Sequence, residues 1–132
     1  MVGPLYGAGV AWTLVYDTIY AHQDAADDAR VGVRSTALRF GDHTQMWLAG
    51  FSALTVAGLA AAGHAAGVGD PYYVGVTAAA AHLAWQLRSV DLRSRADCAA
   101  KFRSNVHLGA IVFAGAVAGK LTAASAMTNA LL

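Results

Sequence analysis

Apolar residues dominate four stretches of the chain, at about residues 5–21, 45–66, 72–87 and 106–127, and the polar residues collect between them. Most of these stretches reach or approach the ~20 residues that a helix needs to cross a bilayer. The pattern therefore predicts an all-α, polytopic membrane helix bundle with about four transmembrane helices. Pro4 and Pro71 fall near the starts of the first and third stretches, where a helix tolerates proline. Gly67, Gly69 and Asp70 supply the turn ahead of the third. The competing reading is a buried helical bundle in a soluble protein, since Ala and Gly swell the apolar count. No internal repeat with a period of roughly 20–50 residues is visible beyond the recurrence of Ala-rich stretches, and a single membrane domain over residues 1–132 is expected.

Composition strengthens the membrane reading: hydrophobic residues make up 57% of the chain and charged residues 13%. A soluble domain usually carries about a quarter of charged residues. The net charge of +1 decides little, and no nucleic-acid partner is expected. The placement of the nine basic residues decides more. Arg30, Arg34 and Arg39 lie between the first and second stretches, and Arg88, Arg93, Arg95, Lys101 and Arg103 between the third and fourth. The connection at residues 63–71 has neither Lys nor Arg. The positive-inside rule then puts both basic segments in the cytoplasm and the neutral one outside. Lys120 stands apart, near enough to the outer end of the last helix to snorkel.

The opening MVGPLYGAGVAW has no basic n-region and runs on into Tyr-Asp, so no cleavable signal peptide is expected. A single cysteine, Cys98, in a segment assigned to the cytoplasm argues against a disulfide framework. The Ala-, Gly- and Arg-rich composition without Glu leans towards a bacterial inner membrane, with the mitochondrial inner membrane as the alternative.

Residues 16–41, YDTIYAHQDAADDARVGVRSTALRFG, depart from this apolar background by gathering four of the eight acidic residues and three arginines. Unpaired carboxylates near lipid are expensive and need a use. At 100° per residue, Asp17, Asp24 and Asp28 lie within about 40° of one another if one helix carries all three. Asp27 falls about 80° off that line and His22 points away. Hard oxygen donors in a stripe suit Mg²⁺, which is commonly held by one or two carboxylates plus substrate phosphates. Zinc is not expected, because no second His or Cys stands at ligand spacing. Surface ion pairs with Arg30 and Arg34 are an equal alternative on spacing alone. Beyond the acids, Gly32 permits a tight turn, Arg34 suits bidentate phosphate binding, and Ser35 and Thr36 add hydroxyls that serve equally well as helix caps. Residues 23–43 are thus expected to form a cytoplasmic aspartate-rich loop.

The run YDTIYAHQDAADDARVGVRSTALRFGD resembles the second aspartate-rich motif of the UbiA prenyltransferase superfamily, and within it the aromatic prenyltransferases that act on 4-hydroxybenzoate in ubiquinone biosynthesis. Tyr20, Ala21, Asp24 and Asp28 meet the family pattern Tyr-Ala-x-x-Asp-x-x-x-Asp. Gly32, Val33, Arg34, Ser35, Thr36, Ala37, Phe40 and Gly41 meet the Gly-Val-Lys/Arg-Ser-Thr-Ala…Phe-Gly run that follows it. Phe102, Asn105 and Gly109 meet a later Phe-x-x-Asn-x-x-x-Gly signature. The resemblance implies a nine-helix membrane bundle in which Mg²⁺, held between two aspartate motifs, grips the diphosphate of a polyprenyl diphosphate. Ionisation of the allylic C–O bond leaves a carbocation that alkylates the acceptor ring beside its hydroxyl.

Carried onto this sequence, the resemblance makes Asp24 and Asp28 metal ligands and sets Arg34, with Ser35, on the diphosphate. Asp17 orients the site or the acceptor. Tyr16 and Tyr20 either face the allylic cation or line the bundle. Asn105 reaches into the central cavity, and Gly109 permits close helix approach.

One departure limits the expectation. The family's first aspartate motif, of Asn-Asp-x-x-Asp-x-x-x-Asp type, has no counterpart in this sequence, and the chain corresponds to the last four helices of the fold. It is expected to need the N-terminal half of the enzyme for a complete site and to be inactive alone. A C-terminal piece of a longer enzyme is the favoured account, and a small membrane protein that pairs through Gly115-x-x-x-Gly119 is the other. A different class, a non-catalytic membrane binding or transport module, would use Asp17, His82 and Gln86 to line a path. His82 and Gln86, four apart, are expected instead to hydrogen-bond a neighbouring helix.

Overall fold

A computed structural model describes residues 1–22, 32 and 43–132. It contains four α-helices and, among the described residues, no strand: α1 Val2–Ala21, α2 Thr44–Ala66, α3 Asp70–Ser89 and α4 Arg95–Leu131. The stops are local chemistry. α2 ends because Gly67 takes the left-handed conformation, φ 61°, at no steric cost. The Gly67 and Val68 N–H groups then donate back to the His64 and Gly63 carbonyls at 3.2 and 3.3 Å. α3 starts on Asp70-Pro71, with a carboxylate in the first turn beside the positive end of the helix dipole.

The largest difference from the expected pattern is at α4. Its apolar stretch starts at about residue 106, but the helix starts at Arg95, where the Ser94 hydroxyl accepts the Asp97 N–H at 3.2 Å. Hydropathy marks where lipid contact is favourable, whereas helicity extends to the capping residue. The Ser-x-x-Asp spacing was the available signal.

Around the bundle, α1 packs on α2 and α4, and α3 packs on α2 and α4. The C-terminus of α1 and the N-terminus of α4 share an end with Arg88, Arg93, Arg95, Lys101 and Arg103, the basic end. Residues 63–71 and Lys120 share the other, the neutral end, where the Gly69 N–H donates to the Gly119 carbonyl at 2.9 Å. Two apolar clusters fill the interior. One, toward the basic end, joins Val15, Ile19, Leu48, Leu83, Cys98 and Leu108. The other, toward the neutral end, joins Ala8, Leu59, Tyr72 and Val76. α3 and α4 come close where Gly75 faces Gly115, since a Cβ on Gly75 would stand 3.1 Å from the Gly115 Cα. Small residues at helix crossings provide the packing that drives association in lipid.

The outward faces are apolar, with Phe113 and Val106 exposed to 72% and 76%. A soluble monomer rarely shows such surface in bulk. By length and composition α2 and α4 can cross a membrane, and only 33% and 11% of their apolar windows are buried inside the bundle, whereas the core helix of a soluble protein is mostly buried. α1 and α3 are each 20 residues long and dilute their apolar content with Tyr, Thr and Gly.

Candidate functional site

At the basic end, the last turns of α1 meet the first turns of α4 through aromatic rings. Tyr16 and Tyr20 both pack on Phe102, with ring centroids 5.9 and 4.8 Å apart, and Trp12 meets Tyr16 edge-on at 5.5 Å. The 3.6-residue period puts Trp12, Tyr16 and Tyr20 in one line along α1. The Thr13 hydroxyl donates to the Gly9 carbonyl at 2.8 Å, so in its 3.2 Å contact with Tyr16 it accepts the phenol proton.

Below this ladder, the Trp12 indole Nε1–H donates to Asn105 Oδ1 at 2.9 Å. The Asn105 Nδ2 group donates to the Lys101 and Phe102 carbonyls at 3.2 and 3.1 Å. Asn105 therefore spends both amide protons within its own helix and orients the indole across the helix interface. Gly109 lies beside that indole, and a Cβ there would stand 3.5 Å from Trp12 Cη2, an ordinary van der Waals contact. Trp12, Tyr16, Phe102, Arg103, Asn105, Val106 and Gly109 line a cleft of about 410 Å³.

Of the residues singled out from sequence, Tyr20 and Asn105 lie on facing helices at this end, and Asp17 stands one turn from Tyr20 on α1 with an exposed side chain. Asp17 makes no ion pair or hydrogen bond among the described residues. Asp24, Asp28, Arg34 and Ser35 lie outside the described residues, as do Asp27 and Thr36. α1 itself ends at Ala21, with His22 as its cap. The His22 Nδ1 stands 2.7 Å from the Thr18 carbonyl, and because a carbonyl only accepts, that nitrogen carries the proton. Gly32 has φ 77°, the left-handed value that suits the turn expected there. No group of three His, Cys, Asp or Glu that could hold a metal occurs among the described residues.

The surroundings are held by a second set of contacts. Lys101 pairs with Asp97 at 2.9 Å and lies 4.8 Å over the Trp85 ring. The Asp91 N–H donates to Asp97 Oδ2 at 2.7 Å. That hydrogen bond, followed by the one from Lys101, holds the Asp97 carboxyl below its ordinary range. Burial, and then the neighbouring carboxylates of Asp97 and Asp91, push the Cys98 thiol up, so it is a packing residue and a poor nucleophile. The Gln86 Nε2 donates to the Ser104 hydroxyl at 3.0 Å, the bond to a neighbouring helix expected for it, while its Oε1 is buried without a partner.

Sequence reasoning marked Phe102 only as part of a family signature and missed Trp12 as site architecture. A tryptophan in an apolar helix seeks a partner for its N–H, and Asn105 is a polar residue on another such helix, but nothing local pairs residues that far apart.

Comparison with known proteins finds matches along most of the chain. The family model for the UbiA prenyltransferase family matches residues 1–110. The chain is 55% identical over 120 residues to 4-hydroxybenzoate polyprenyltransferase, mitochondrial, of Arabidopsis thaliana, covering 91% of this chain and 30% of that protein. It is 53% identical over 118 residues to the Drosophila melanogaster protein of the same name, covering 89% of this chain and 30% of that one. To 4-hydroxybenzoate geranyltransferase 1 of Lithospermum erythrorhizon it is 52% identical over 118 residues, covering 89% of this chain and 38% of that one. The chain thus spans 30–38% of the length of these curated relatives. No solved structure gives a significant match. A family model that matches most of the chain, and relatives at this level of identity, lead to one conclusion: the chain belongs to the UbiA prenyltransferase family.

Proposed function

We propose that the chain supplies part of a Mg²⁺-dependent aromatic prenyltransferase that moves a polyprenyl group from polyprenyl diphosphate to 4-hydroxybenzoate in ubiquinone biosynthesis. The observation that carries this reading is the 55% identity over 91% of the chain to a relative named for that acceptor and that transfer. The reaction breaks the allylic C–O bond, the diphosphate leaves with the bonding pair, and the aromatic ring takes up the carbocation and loses a proton.

The donor set suits Mg²⁺. Its members are carboxylates, hard oxygen ligands, and the Asp17 carboxylate is exposed with no cation against it among the described residues. Asp24 and Asp28 hold the ion, which when bound offsets the charge growing on the departing diphosphate. Arg34 and Ser35 donate hydrogen bonds to the diphosphate oxygens. Asp17 orients the site from the end of α1. Tyr20 turns a ring face toward the developing cation, steadied by its contact with Phe102. Asn105 serves substrate binding by fixing the Trp12 indole in the wall of the cleft.

The site is completed by the N-terminal half of the enzyme. The surrounding bilayer is that of a bacterial inner membrane on composition, and a mitochondrial one if the names of the animal and plant relatives are followed. The aspartate-rich segment faces the cytoplasm or its mitochondrial equivalent.

The test is a chimera in which these residues replace the matching segment of the Arabidopsis relative, assayed in membranes with Mg²⁺, polyprenyl diphosphate and 4-hydroxybenzoate. Prenylated product is expected, with dependence on Mg²⁺ and loss in D24N or D28N. Membranes containing residues 1–132 alone should give none. A membrane-inserted chimera without turnover, or one indifferent to Mg²⁺ and to both substitutions, overturns the proposal.

A further inference from the structure

A second cavity, of about 340 Å³, opens at the neutral end between all four helices. Leu5 of α1, Leu59 and Ala62 of α2, Tyr72 of α3, and Val112 and Ala116 of α4 line it. Tyr72 lies against Gly63, at which no larger residue fits, and its hydroxyl donates to the Leu59 carbonyl at 2.7 Å. The polar atom of the wall is thus satisfied internally, and the cavity offers an occupant only apolar contacts. Its rim carries the Lys120 ammonium, which is exposed and makes no ion pair or hydrogen bond among the described residues, and Met1 also lines it. The acid at this end, Asp70, is exposed and does not pair with it. Every other Lys or Arg among the described residues lies at the basic end.

An ammonium at the edge of an apolar helix keeps its charge by reaching water or an anion. An apolar cavity with a lysine ammonium on its rim matches a molecule with an apolar tail and an anionic head. A small anion gains nothing from the cavity, and a zwitterionic lipid offers the ammonium no net charge. We propose that this cavity binds an anionic phospholipid, with an acyl chain between the four helices and the phosphate on Lys120. Its lining shares no residue with the cleft lined by Trp12 and Asn105.

The test uses the purified 132-residue chain in detergent micelles, with palmitoyl-oleoyl phosphatidylglycerol and phosphatidylcholine as probes and retained lipid read by native mass spectrometry. The preference for phosphatidylglycerol should fall about five-fold in K120M, the loss expected for one basic residue near anionic headgroups, and should persist in K120R. Filling the cavity with A62L or A116L should lower retention of the phosphatidylglycerol further. Millimolar inorganic phosphate should not compete. An unchanged preference in K120M, full retention in both cavity-filled variants, or displacement by free phosphate each overturns the proposal.

Discussion

Cutting the Trp12–Asn105 bond separates a positioning role for Asn105 from direct contact with substrate. The bond is 2.9 Å long, links α1 to α4, and lies where Asn105 is 8% exposed. Alanine at 105 strands the indole N–H in an apolar wall, a loss of about 1–3 kcal/mol by the rule for unpaired buried donors. Measured bonds between membrane helices average about 0.6 and reach about 1.7 kcal/mol, so about 1–1.5 kcal/mol is the reasoned value. The two Nδ2 bonds contribute little to it, because the Lys101 and Phe102 carbonyls they reach belong to the same helix and accept its backbone protons as well. Phenylalanine at 12 keeps a ring against Tyr16 and removes only the donor.

The assay is a double-mutant cycle of W12F and N105A, unfolded with SDS in mixed micelles and followed by far-ultraviolet circular dichroism. Each single change should destabilise, and the pair should couple by at least about 0.6 kcal/mol. If Asn105 instead kept its amide for substrate, N105A would leave stability untouched and the cycle would be additive. Coupling below about 0.3 kcal/mol refutes the clamp.

In the chimera, D17N should slow turnover by about 10–100-fold, the usual range for a residue that orients ligands rather than holding the metal, and a Mg²⁺ titration of the rate checks it; full activity would remove Asp17 from the site. G119A should destabilise by about 1–3 kcal/mol, since its Cβ would stand 2.7 Å from the Tyr72 Cβ and 3.1 Å from the Gly69 carbonyl oxygen; SDS unfolding that matches the unsubstituted chain would contradict that packing. S94A should cost about 1 kcal/mol through loss of the α4 cap, again by SDS unfolding. Asp97, ahead of the apolar stretch of α4, is depressed in the folded state by the Asp91 N–H and by Lys101. Its contribution is therefore complete above the ordinary carboxylate range and fades as pH falls below about 4, so D97N should flatten the acid limb of a stability–pH profile, and an unchanged limb would refute the assignment.

The order and number of helices were legible because hydropathy is a local property, and α1 and α2 begin within three residues of the expected positions. The aspartate-rich motif was legible as a motif, since its spacing is written in consecutive residues. Asp17 was legible as a charge in an apolar helix. The early start of α4 was missed because its first turns are polar, and a capping serine speaks only to the residue three positions on.

What the sequence alone determined is therefore local: four apolar helices, a basic end and a neutral end, a family motif, and the cation left over at Lys120. The tertiary structure decided which faces meet. It brought Trp12 to Asn105 across 93 residues, set Tyr72 on Gly63 and Gly119, and turned Gln86 toward Ser104. The reason is physical. In a soluble helix the apolar stripe names the buried face, but lipid tails are as apolar as a protein core, so hydropathy around a membrane helix carries little record of which side is inside. That choice rests on close packing of small residues and on partners for a few polar groups, and both exist only once the helices are together.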